Sequence, residues 1–161
     1  MDLSPIRQRH IALMQTTLAI LGNVLAPVSQ AVATTLRDGH DGPKGWTVIE
    51  VVCHLRDFDG FFQQRAQMIL VEEYPKLPAY DHEALAVERA YIDQDLHAVY
   101  AALTASRQQY VEFFKGLSAE QWERAGVHPE RGHFSLTDAV MQVGSHDCTH
   151  LEQITRILNG G

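Results

Sequence analysis

His146 and His150 sit four residues apart near the C-terminus. In a helix that spacing stacks two side chains on one face with Cβ atoms roughly 6 Å apart, so two imidazoles there can share one metal ion. A pair of this kind also arises by chance in a chain with nine histidines. A site therefore needs a helix beneath the pair and a third ligand.

The helix is argued from its flanks. Ser135 to Asp138 reads as a capping box, in which the serine hydroxyl satisfies a first-turn N–H and an acidic residue follows three places on. Ala139, Val143, His146, His150, Ile154 and Ile157 then recur at steps of three or four, which marks one inward face. Asn159-Gly160-Gly161 is the expected stop signal.

A third imidazole is available at His54. Thr47 and Glu50 form another capping box with Trp46 ahead of it, and the helix they open runs to about Leu70. His54 shares a face of this helix with Glu50, Asp57 and Phe61. If the helix packs beside the last one, His54, His146 and His150 converge, and three neutral imidazoles hold a divalent ion while leaving a coordination position open. A zincin protease is excluded, because position 147 is Asp rather than Glu and the third histidine lies far upstream.

The neighbours admit two readings each. Glu50 is a candidate base or hydrogen-bond acceptor for a ligating histidine, or only the partner of Thr47. Gln153 could reach the open coordination position or bond within the bundle. Asp57 and Asp147 could orient ligands or be solvated carboxylates. His10, His40, His82, His97, His128 and His133 read as surface histidines, with His128 and His133 able to line an approach to the metal helix. Trp46, Trp122, Phe61 and Phe62 read as core.

The elements that must position these residues are helical. Ser4-Pro5 opens a first helix that Pro27 should interrupt before a continuation over 28–36; residues 37–45 are a loop. A third helix, capped by Asp81, reads on to Phe114 and ends at Gly116. Ser118 caps a short helix carrying Trp122, and residues 125–134 read as a loop. The expectation is an all-α fold without strands, a four-helix bundle with one short extra helix before the last long one, forming one domain over 1–161.

Composition narrows the function. A hydrophobic content of 45% and a charged content of 20% are globular values. The net charge of −7 without a Lys/Arg cluster opposes nucleic-acid and anionic-membrane binding. No apolar run approaches the roughly 20 residues of a membrane span. The N-terminus lacks the basic start and apolar core of a signal peptide, so a cytoplasmic location is expected. Cys53 and Cys148 make no disulfide framework, and on a helix both turn away from the neighbouring histidines, so they read as packing residues.

Residues 45–57 (GWTVIEVVCHLRD), 132–136 (GHFSL) and 146–154 (HDCTHLEQI) resemble the DinB-like superfamily, and the similarity runs on through 77–81 (LPAYD), Trp122 and His128-Pro129. The resemblance implies a four-helix bundle in which one histidine of the second helix and a pair on the fourth bind a metal, often zinc or nickel. Here those positions are His54, His146 and His150. It also implies a homodimer. Family members of assigned activity include thiol-dependent S-transferases and an isomerase that uses a low-molecular-weight thiol. The expected function is thus a metal-dependent enzyme of thiol S-transferase or hydrolase type, acting on a small molecule. The alternative is a non-catalytic metal-binding dimeric module of stress response.

Overall fold

The capping boxes form as reciprocal hydrogen bonds in the computed structural model of the protein, which describes residues 2–160. Thr47 N–H donates to Glu50 Oε2 at 2.8 Å while Glu50 N–H faces Thr47 Oγ1; Ser135 and Asp138 repeat the exchange. They open α3 (Val48–Val71) and α7 (Leu136–Leu158). Of the expected stop signal, Gly161 lies outside the described residues.

The other elements are α1 (Ser4–Leu25), α2 (Gln30–Thr35), a 3-10 helix (Gly39–Lys44), α4 (His82–Glu88), a second 3-10 turn (Tyr91–Asp93), α5 (Leu96–Lys115), α6 (Ala119–Trp122), and strands β1 (Ala125–His128) and β2 (Gly132–Ser135). Three expectations are corrected. The continuation after Pro27 is shorter, because Ser29 caps it by accepting from Val32 N–H. The third helix is broken: Ala90 takes a left-handed φ of 45°, Tyr91 turns into the core, and Asp95 caps a fresh helix. Residues 125–134 are a hairpin rather than a loop, with Ala125 opposite Ser135 and His128 opposite Gly132. It is held from outside as well. Leu77 N–H donates to Val127 O at 2.9 Å, Val127 N–H donates to Pro75 O at 2.8 Å, and Phe134 is buried beneath.

Among the long helices, α1 packs on α7 and α5, and α3 packs on α5 and α7, so α1 and α3 stand diagonally. The long connection between them, carrying α2 and the first 3-10 helix, makes this possible and leaves α7 beside α3. Gly144 lets α1 close on α7, since a Cβ there would lie 2.5 Å from Leu13 Cδ2.

The apolar interior is split into two clusters. One contains Leu21, Leu55, Leu103 and Ile154; the other contains Met14, Phe62, Tyr110 and Val143. In each long helix the residue between the two is polar: Thr17, Asp59, Arg107 and Asp147. Arg107, only 2% exposed, donates from Nε to Asp59 Oδ1 at 2.6 Å and from Nη1 and Nη2 to Asp147 at 2.7 and 3.0 Å. Thr17 Oγ1 also donates to Asp147. Burial opposes the charge of Arg107, but the two carboxylates more than offset it and hold its pKa above the ordinary value. Among the described residues no helix is long and apolar enough to cross a membrane.

Removing one partner from a buried ion cluster leaves uncompensated charge and costs about 3–5 kcal/mol. Arg107→Leu, which strands two carboxylates, should therefore destabilise the protein by that amount in urea unfolding. A change below about 1 kcal/mol would mean that the layer is not what fixes the bundle.

Candidate metal centre

The adjacency of α3 and α7 brings the three histidines together. One nitrogen from each of His54, His146 and His150 lies within 4.8 Å of the others, an arrangement that could hold a metal ion. His54 Nε2 and His146 Nε2 are 2.9 Å apart, so without a metal a single proton can bridge them where three donor nitrogens converge. His54 lies between Trp46 and Phe58, with ring centroids at 5.2 and 4.2 Å. Its Nδ1 is buried with no partner among the described residues. Phe62 meets the His146 ring edge-on at 5.2 Å.

This apolar packing disfavours charged imidazoles. Burial, reinforced by the other histidines, pushes His54 down to about 2. Burial and then His150 push His146 down to about 3, and burial lowers His150 as well. All three are thus neutral at pH 7, the state that offers a lone pair to a cation. Three neutral nitrogen donors in an apolar shell fit a borderline-soft divalent ion.

Gln153 is brought to the site and Glu50 is not. His150 Nδ1–H donates to Gln153 Oε1 at 2.8 Å, which leaves the Nε2 lone pair free. Gln153 Nε2 donates in turn to Asp38 Oδ2 at 2.9 Å, and Arg156 binds the other Asp38 oxygen. Burial opposes the Asp38 charge, but these bonds and the His40 amide hold its carboxyl below the usual range. Glu50 is taken up by Thr47, with Arg37 at 3.6 Å, and is absent from the cavity wall. Asp57 and Asp147 also turn elsewhere, Asp57 to Tyr91, Arg56 and Arg89, and Asp147 to Arg107. Cys53 is buried and Cys148 exposed, and neither joins the triad.

Two contributors, Asp38 and His82, were not singled out from the sequence. Asp38 sits in a stretch read as a loop, and only folding brings it to α7. His82, read as a surface residue, forms part of the cavity wall, its ring 6.2 Å from that of His54. Of the two histidines expected near the approach, His128 does line the cavity, although buried rather than exposed, with Arg65 donating to its Nε2 at 3.0 Å, and His133 is absent from the cavity wall. The Asp81 cap signal places His82 at the start of a helix, and this was the one available hint for it.

The triad lies on the wall of a cavity of about 710 Å³. Trp46, Phe58, Phe62, Tyr80 and His82 line it near the histidines, and Arg65, His128 and Glu130 line it further along. A helical bundle with an imidazole cluster opening into such a cavity defines a class of candidate metal-centre proteins. The chain belongs to the DinB superfamily, which it matches over residues 9–154. It is 28% identical over 142 residues to YfiT of Bacillus subtilis, covering 86% of this chain and 80% of YfiT, a protein named as an inferred metal-dependent hydrolase. A relative from Oceanobacillus iheyensis with the same kind of name is 25% identical over 125 residues, covering 78% of this chain and 69% of its own. The solved structure of YfiT, described as having an unusual four-helix bundle topology, superposes with a TM-score of 0.87 at 24% identity, over 99% of this chain and 89% of that one. The mycothiol-dependent maleylpyruvate isomerase shares the fold at a TM-score of 0.74 and 14% identity, over 92% of this chain and 60% of that one.

The lowered histidine values fix the sign of a pH effect. Unfolding returns each imidazole to about 6.5, so below that pH the unfolded chain binds protons that the folded chain refuses. In metal-free protein the stability is fully present above pH 6.5 and drains away as the pH falls from there toward 3. Thermal melts of chelator-treated protein at pH 7.5 and 5.0 should show a lower Tm at pH 5.0, with a smaller drop in His54→Phe. A Tm that rises on acidification would contradict the neutral triad.

Proposed function

We propose that the chain is a metal-dependent hydrolase acting on a small molecule, with His54, His146 and His150 as the metal ligands. The observation that carries this reading is the convergence of three neutral imidazoles, His54 buried and His146 and His150 half-buried, on the wall of one cavity. The names of its relatives support hydrolysis. A divalent ion there supplies Lewis acidity, which lowers the pKa of water or a thiol and polarises an electrophile.

The chain's own residues do the rest. Gln153, anchored by Asp38, holds the His150 tautomer. Trp46, Phe58 and Phe62 pack against the His54 and His146 rings and give the cavity an apolar wall around the triad. His82 stands beside the triad as a proton carrier, a role for which Glu50 is not placed. Zinc or nickel as the occupant, and a cytoplasmic homodimer as the working form, belong to the same reading.

Thiol transfer is the second catalytic reading, and its support is the thiol-dependent neighbour of the same fold. A non-catalytic module fits less well, because it calls for a coordination sphere closed by a fourth protein ligand. Among the described residues the cluster has three members.

Protein purified without a histidine tag should carry about one divalent ion per chain and, so loaded, cleave members of a panel of small esters, amides and lactones; His54→Ala should lose both properties. Thiol–electrophile conjugates without hydrolysis would favour transfer instead, and absence of both reactions would favour the module. Loss of an orienting hydrogen bond weakens metal binding about 10–100-fold, so Gln153→Leu should raise the metal Kd by that factor in a chelator competition. A change below threefold would remove Gln153 from the site.

A further inference from the structure

Three arginines are buried, and two of them have acidic partners: Arg7 pairs with Glu123, and Arg107 with Asp59 and Asp147. Arg65, 6% exposed, forms no ion pair with an acidic side chain among the described residues. Its Nε and Nη2 donate to Pro78 O at 3.1 and 2.6 Å, and its Nη1 donates to His128 Nε2 at 3.0 Å. Tyr80 packs against the guanidinium at 5.1 Å. A guanidinium carries five N–H donors, so two remain uncommitted, on a group that lines the same cavity as the triad. A buried charge without a counter-charge is costly, and an anionic ligand relieves that cost.

Its position adds a length. Arg65 lies three turns along α3 from His54, about 16 Å at 1.5 Å per residue, and Phe58 and Phe62 occupy the same face between them. The cavity thus has an imidazole cluster at one end, an apolar middle, and at the other end Arg65, whose guanidinium forms no ion pair although Glu130 and a second cation, Arg131, stand on the same wall. We infer that Arg65 is the anion-binding subsite of this cavity, and that the ligand is an elongated small molecule with an apolar middle and a terminal carboxylate or phosphate-type oxyanion remote from the histidines. This rests on the reading of the cavity as the substrate site, and it goes beyond that reading by naming the substrate's charge and shape.

The test compares three probes that differ only at one end: 4-phenylbutyrate, 3-phenylpropylphosphonate and neutral 4-phenylbutanol, titrated into metal-loaded protein and followed by NMR shifts of the Arg65 Nε–H and the His128 ring. A hydrogen bond to a charged group separates anion from alcohol by about tenfold or more, so at least one anion should bind that much more tightly than the alcohol. Arg65→Gln should abolish the difference without changing the metal content, while Arg65→Lys retains part of it. Carboxylate against phosphonate then identifies which oxyanion the fork prefers. Equal binding of all three probes to the wild type, no binding at all, or an anion preference that survives in Arg65→Gln would each overturn the assignment. The wild-type comparison decides even if the variants fold poorly. The metal reading is separated by His146→Ala, which should lose metal yet keep the preference for the anion.

Discussion

The structure depends on the register of α7 against α3, and a buried arginine holds that register. Arg107 reaches from α5 to Asp59 on α3 and to Asp147 on α7, and Thr17 on α1 completes the layer. The apolar clusters above and below supply most of the burial, but apolar contacts tolerate sliding by a turn more readily than a bidentate ion pair does. Asp147 follows His146 directly in the chain. Whatever fixes its carboxylate therefore fixes where the neighbouring imidazole points, about 100° round the helix.

A second constraint acts at the triad itself. Trp46, Phe58 and Phe62 strip water from the imidazoles, so that none carries a second ring proton at neutral pH, while His54 Nε2 and His146 Nε2, 2.9 Å apart, share a single N–H between them. Burying polar atoms without full satisfaction is unfavourable, and His54 Nδ1 bears that cost openly. The same cavity wall carries the unpaired Arg65 at its far end. Both residues are incompletely satisfied by the described residues and both line one cavity, as the proposed metal and anion sites require.

Much of this was legible in the sequence, for identifiable reasons. Capping boxes are local, and Thr47–Glu50 and Ser135–Asp138 formed where the spacing put them. The inward face of α7 was visible because apolar and histidine positions share one period. The break before α5 was not visible, since it is set by Tyr91 entering the core and donating to Asp57, a contact between residues distant in the chain. The hairpin was missed because strands of four residues carry little periodicity, and their pairing is fixed by the connection at residues 75–77. Asp38, His82 and Arg65 owe their importance to tertiary placement: an aspartate in a glycine-rich loop, a histidine after a cap and an arginine on a helix look ordinary until folding sets Asp38 against Gln153 and brings His82 and Arg65 to one cavity.

The most direct measurement of the central claim is X-ray absorption at the metal edge of protein purified without a tag. Three ligating histidines predict an imidazole-dominated nitrogen shell in the wild type that is lost in His54→Ala. A sulfur shell, or a spectrum that the substitution leaves unchanged, would contradict it.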